Sequence, residues 1–220
     1  MSFVYKPPTE WIPPDSFPTE KLCQAKEIAI DLETRDPNLK ELGPGYIRGD
    51  GEVVGISFAI DGYEDYFPFA HEQGFNFSKK KVIEFTKKIC ATESDKIFHN
   101  STYDIGWLVK EGVTINGRII DTMVVAPLID ENQYWYSLNA LGREYINEGK
   151  TEAELNAAAE EWGLDPKAEM WRLPSAYVGT YATQDAALTL KLWNHFKILL
   201  EEQNLWNVFD LEMRVLPVIL

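Results

Sequence analysis

Cysteine is scarce in this 220-residue chain: there are two, Cys23 and Cys90. They lie far apart and lack metal-ligand spacing, so no disulfide framework or thiolate metal centre is implied, and free thiols in a reducing compartment are the simplest reading. Long apolar runs are missing as well. No stretch of about 18 apolar residues occurs, and the opening MSFVYKPPTEWIPPD has neither a basic nor an apolar signal region, so the expectation is a chain that neither spans a membrane nor is secreted. Positive charge is in deficit, with 21 Lys and Arg against 35 Asp and Glu and a net charge of −14. That balance argues against a broad basic face gripping duplex DNA, because nonspecific affinity comes mainly from Lys and Arg neutralising phosphates. Internal repeats and low-complexity tracts are absent too.

What is present is a chain that is 45% apolar, enough for one full-sized core. Residues 1–20 hold five prolines and little periodicity and read as a surface arm or a linker. A strand is expected at 26–33. DPNLKELGPGYIRGDGE reads as a long loop, and VVGISFAIDGYEDYFPF as a hairpin turning at Asp61-Gly62, a dipeptide suited to positive φ. Ser78 is placed as the cap of a helix over KKKVIEFTKKICA. After a short strand at 96–100, a helix capped by Ser101 or Thr102 runs to Gly112, and GRIIDT supplies one more strand. Helices are expected at 122–130, 137–147, 151–162 (with Thr151 and Glu154 as a capping box) and from Pro174 to Glu202. Strands first, then mostly helices, predict an α/β fold with a central mixed sheet flanked by helices.

Acids recur where such a fold buries polar groups. In EIAIDLETRD, residues 27–36, Ile28 and Ile30 share one strand face while Ala29, Asp31 and Glu33 share the other. Asp104 falls in the first turn of a helix that follows a strand end, where ligands tend to bind in open α/β sheets. Tyr181 and Asp185 in YATQD are four apart on one helix face that Leu188 and Leu192 continue into the core. Each has a bland reading alone: an exposed edge-strand pair, a helix-start acid, a plain intrahelical contact. Together they are four acids whose repulsion calls for cations, and all-oxygen ligands suit Mg²⁺ or Mn²⁺. A pair of such ions can hold one phosphate between an attacking water and a leaving oxygen.

These motifs resemble the DnaQ-like (ribonuclease H-like) exonuclease superfamily, in its tyrosine branch: IAIDLET is similar to the first motif, HNSTYD (99–104) to the second and YATQDAALTLKLW (181–193) to the third. The histidine branch carries its base five residues before the last Asp, where this chain has Thr180. IIDTMVVAPLIDENQYWYSLNALGREYI and LWNVFDLEMRVLPVIL further resemble the proofreading domain of family A DNA polymerases, of phage or bacterial type, and the passage into their polymerase domain.

The resemblance implies a 3′-5′ exonuclease domain over 24–203, preceded by an arm (1–23) and followed by a segment (204–220) leading to a polymerase domain. It implies catalytic roles for Asp31, Glu33, Asp104, Tyr181 and Asp185, with the four acids holding two Mg²⁺ ions, for which Mn²⁺ substitutes. Asp31 would bridge the ions, Glu33 and Asp185 complete the water-activating site, and Asp104 hold the other ion. Tyr181 would orient water, since a phenol with pKa near 10 is a poor base at neutral pH. Asn100 and Tyr103 match cleft-lining positions, Thr34 offers its backbone or hydroxyl to the terminal nucleotide, and His99 beside Asn100 is a further substrate contact. The partners implied are a single-stranded DNA 3′ end and a polymerase domain, with no membrane, in the cytoplasm of a bacterium or phage-infected host. A ribonuclease D-like exoribonuclease and a silent scaffold are the alternatives. Lysines 79–81 and 87–88 read as a solvated face, His71 and His195 as bland, and Trp107, Trp162 and Trp193 as core. The apolar end EMRVLPVIL is expected to face a missing partner surface.

Overall fold

The computed structural model describes residues 9–219. In chain order the elements are α1 (Thr19–Gln24), β1 (Glu27–Arg35), α2 (Leu39–Leu42), α3 (Gly45–Arg48), β2 (Glu52–Ile60), β3 (Tyr63–Pro68), α4 (Lys79–Cys90), β4 (Asp95–Phe98), α5 (Ser101–Lys110), β5 (Ile119–Asp121), α6 (Thr122–Ile129), α7 (Leu138–Ile146), α8 (Ala153–Trp162), α9 (Ser175–Glu202) and α10 (Trp206–Ile219), with a 3₁₀ turn at Met170–Arg172. The five strands form one sheet in the order β3-β2-β1-β4-β5. β1 runs antiparallel to β2 and parallel to β4, so the sheet is mixed as expected, and β1 lies at its centre.

The two faces of β1 are chemically different. Ile28, Ile30 and Leu32 fill one, together with Ile56, Phe58 and Phe67 from β2 and β3. There Phe58, Phe67, Phe77 and Phe85 meet with ring centroids 5.1 to 6.0 Å apart, and Phe17 of the arm stacks on Phe67 at 5.4 Å. Opposite faces follow from the strand period of two. On the other face Ala29, Asp31 and Glu33 stand across from Ala59, Ser57 and Gly55. These small side chains let α9 lie close across the strands, contributing Ala182, Ala186, Leu188 and Leu192 to the core. A second buried cluster of Leu155, Ala158, Met170, Tyr177, Val178 and Tyr181 forms where α8 packs on α9.

Several local expectations are revised by tertiary contacts. The arm's first eight residues lie outside the described ones, but Trp11 packs on Tyr66 and Phe17 enters the core, so that part of the arm is built into the fold rather than laid on its surface. The loop at 36–52 contains two single-turn helices, α2 and α3, tied back by the Gly45 N–H donating to Asp36 Oδ2 at 2.9 Å. Ser78 precedes α4 without a side-chain cap bond. α5 is capped not by Ser101 or Thr102 but from a distance: Asn100 sits before it in the left-handed region (φ 70°), and the Asp121 carboxylate accepts the Asn100 and Ser101 N–H groups at 3.0 and 2.7 Å. The capping box at Thr151 does not form. α8 starts at Ala153, and the Thr151 hydroxyl accepts instead from Gln184 at 3.4 Å. The terminal apolar segment is half covered: Phe209, Met213 and Leu216 of α10 are buried, with Phe209 stacked on Trp193 at 5.3 Å, while Leu211, Val215 and Val218 stay exposed. Among the described residues no helix is long and apolar enough to cross a membrane.

Candidate active site

Three elements deliver the acids. β1 presents Asp31 and Glu33 two residues apart on the face that α9 covers, and α9 brings Asp185 down onto them. One ligand oxygen from each of Asp31, Glu33 and Asp185 lies within 4.8 Å of the others, a spacing at which a single cation touches all three. Glu33, Asp104 and Asp185 are 6%, 5% and 3% exposed, and Asp31 is partly exposed. The Asp185 Oδ1 atom is buried with no hydrogen-bond partner. A buried carboxylate oxygen without a partner, on a residue grouped with two further acids, is costly in a folded protein and fits a divalent ion, which removes the penalty by taking the lone pair.

Asp104, in the first turn of α5, lies outside that trio but feels the charges of Asp31 and Glu33. Burial is the leading cause of the rise in every carboxyl pKa of the set. It pushes Asp31 up to about 8, with Asp185 adding repulsion and Lys150 opposing it. Glu33 and Asp104 are driven well above the usual carboxylate range by desolvation first and neighbouring acids second. Asp185 is raised by burial against the pull of Lys150. Without a divalent ion, burial therefore favours the protonated form of these carboxyls.

Tyr181 sits one turn before Asp185, is 8% exposed, and has its phenol pKa raised by burial and by the acids. The Thr34 hydroxyl and Tyr103 Oη are 2.7 Å apart, and Tyr103 Oη donates to Asp36 Oδ2 at 3.2 Å, so Tyr103 ties the end of β1 to α5. Asn100 is exposed. His99 Nδ1 is 2.9 Å from Thr122 Oγ1, and burial lowers its pKa to about 4, so its ring is neutral near pH 7.

Sequence reading missed two groups here. Lys150, on the connection between α7 and α8, donates to Asp185 Oδ2 and, at 3.2 Å, to Tyr181 Oη. Its only sequence signal is a lysine between Gly149 and Thr151, which says nothing about a partner 35 residues away. His71, read as bland, is buried with Nε2 2.8 Å from Tyr66 Oη and Nδ1 3.0 Å from the Leu173 carbonyl. Tyr66 in turn lies over Gly55, across from Glu33.

The comparisons agree with this geometry. A family model described as 3′-5′ exonuclease matches residues 18–201. A DNA-directed DNA polymerase of Pseudomonas phage M6 is 36% identical over 229 aligned residues, covering all of this chain and 34% of the phage protein. DNA polymerase DpoZ of Salmonella phage PMBT28 is 28% identical over 90% of this chain and 30% of its own length, and DNA polymerase I of Borreliella burgdorferi is 25% identical over 84% and 19%. The chain thus spans about a third of the length of its phage relatives. Among solved structures, Brucella melitensis NrnC with bound Mg²⁺ superposes with a TM-score of 0.63 at 19% identity, covering 91% of this chain and 86% of that one. The catalytic core of RRP6 from Trypanosoma brucei gives 0.64 at 20% identity, covering 90% and 48%, so the DnaQ-like fold is shared with both. With the matched region enclosing every acid of the site, the chain belongs to the 3′-5′ exonuclease family of A-type DNA polymerases.

Proposed function

We propose that this protein hydrolyses the 3′-terminal phosphodiester bond of single-stranded or frayed, mismatched DNA, releasing nucleoside monophosphates, as the proofreading part of a family A DNA polymerase. The observation that carries the reading is the convergence of Asp31, Glu33 and Asp185 within 4.8 Å, with Tyr181 one turn before Asp185 on α9. Asp31, Glu33 and Asp185 would hold one Mg²⁺, and Asp31 with Asp104 a second, with Mn²⁺ as substitute. Such a pair, when bound, supplies an activated water and stabilises the leaving oxygen.

The chain's own residues do the rest. Tyr181 holds the attacking water by hydrogen bond rather than removing its proton, because its raised pKa keeps the phenol protonated. Thr34, Tyr103 and Asn100 bind the terminal nucleotide, and neutral His99 contributes a hydrogen bond, not a charge. The acidic balance suits this task, since a frayed single strand needs a local grip and mispaired ends fray at lower cost. Residues 24–203 form the nuclease domain, and 204–220 lead toward a polymerase domain. The working location is the cytoplasm of a bacterium or phage-infected cell.

Digestion of 5′-labelled single-stranded DNA with Mg²⁺ or Mn²⁺ tests the reading, run beside Asp31→Ala and an RNA of the same sequence. A ladder shortening from the 3′ end on DNA, absent in the variant, is expected. A ladder on RNA alone would make the protein an exoribonuclease, and no ladder from the folded protein would overturn the nuclease reading.

A further inference from the structure

Lys150 is held in the site by more than its own ion pair. The side-chain amide of Gln184, the residue before Asp185 on α9, grips the Lys150 connection from both sides: Gln184 Oε1 accepts the Thr151 N–H at 2.6 Å and Nε2 donates to the Gly149 carbonyl at 3.1 Å. The Lys150 N–H donates to Asn139 Oδ1 at 2.9 Å, and Lys191 pairs with Glu148 at 2.6 Å. A loop fixed at four points delivers one long side chain, 16% exposed, onto the two functional residues of α9. Its ammonium lies 5.0 Å from the centre of the Tyr181 ring.

The contacts divide Asp185 between two tasks. Lys150 occupies Oδ2 while Oδ1 is buried without a hydrogen-bond partner, and one oxygen of this carboxylate lies within 4.8 Å of a ligand oxygen of Asp31 and of Glu33. Donation to Tyr181 Oη fills a phenol lone pair, and the phenol in turn bonds to the Asp185 carboxylate, so Lys150, Tyr181 and Asp185 form one closed set of partners. Resting on the nuclease reading above, we propose that Lys150 is a positioning residue of this site: its ammonium fixes Asp185 with one oxygen turned to the metal ion, orients the Tyr181 hydroxyl, and serves as the resident cation that keeps the acids together before a divalent ion arrives.

The test compares the wild-type chain with Lys150→Met and Lys150→Arg on labelled oligo(dT), separating kcat from KM, together with melting temperatures in EDTA and in Mg²⁺. Lys150→Met is expected to lower kcat at least tenfold while KM for DNA changes less than about threefold, because the lysine touches the functional residues and not the strand. Lys150→Arg, which keeps the charge and donors, should recover part of the loss. The melting temperature of Lys150→Met should fall in EDTA and close toward wild type in Mg²⁺. Unchanged kcat, or a melting deficit equal in EDTA and Mg²⁺ with no recovery by arginine, would reduce Lys150 to an ordinary structural ion pair and overturn the proposal. Should the wild-type chain cleave nothing, the nuclease reading fails on its own. A double-mutant cycle of Lys150→Met with Asp185→Asn, melted in EDTA, then judges the pairing separately: non-additive effects uphold the resident-cation role and additive ones refute it.

Discussion

Gly55 stands directly across from Glu33, and the Tyr66 side chain lies in the space its missing side chain leaves: a Cβ at Gly55 would be 2.2 Å from Tyr66 Oη. Gly55→Ala must therefore push the ring off the strand beside the acids. Overpacking of this kind costs about 1–3 kcal/mol. A fall of that size in denaturant stability is expected, accompanied by lower nuclease activity, and Tyr66→Phe should show neither the steric loss nor the same activity defect.

A second outcome concerns acid. Burial lowers the His71 pKa from 6.5 to about 4. At this group the unfolded chain then binds more protons than the folded one in that interval, so its contribution to stability is full above pH 6.5 and is lost as the pH falls toward 4, by roughly 3 kcal/mol for such a shift. His99 shifts the same way. His71→Phe should remove this contribution, so that its stability falls less steeply than that of the wild type as the pH drops from 6.5 to 4, whatever the variant does to stability at pH 7. An unchanged slope would mean that burial does not hold His71 neutral.

How much could be read in advance depended on how local the cause was. The face alternation of β1, the turn with Gly62 at φ 68°, and the Tyr181–Asp185 spacing are set by neighbours in sequence, and all appear where the pattern put them. The acid trio was legible because strand and helix periods fix which side chains share a face. The cap of α5 was not, because its acceptor, Asp121, comes from β5 some twenty residues on and outcompetes the adjacent Ser101 and Thr102. Lys150 was hidden for the same reason: an aperiodic connection carries it, and only the Gln184 clamp and Asp185 explain its place. α2 and α3 form through Asp36 and through Tyr46 packed against Trp107 and Gly106, contacts absent from any local window.

Asp121 yields a third prediction. It accepts N–H bonds from Asn100, Ser101 and Met123, and so orients the start of α5 that carries Asp104. Asp121→Ala leaves buried donors unpaired, at a cost of about 2–3 kcal/mol. Chemical denaturation should show that loss, and cleavage should fall more than stability alone accounts for, because Asp104 moves with the helix.

The acids themselves are expected to trade stability for chemistry. Asp31→Ala removes one member of a repelling buried set, so its melting temperature in EDTA should equal or exceed that of the wild type while cleavage drops to background. A clear loss of metal-free stability in Asp31→Ala would contradict a destabilising cluster.

The central claim is that these acids hold divalent ions, and diffraction at the manganese absorption edge from crystals soaked in Mn²⁺ tests it most directly. The account predicts an anomalous peak between Asp31, Glu33 and Asp185, lost in Asp185→Asn. Intact crystals with no peak at that position, under conditions where Mn²⁺ reaches the solvent channels, would contradict it.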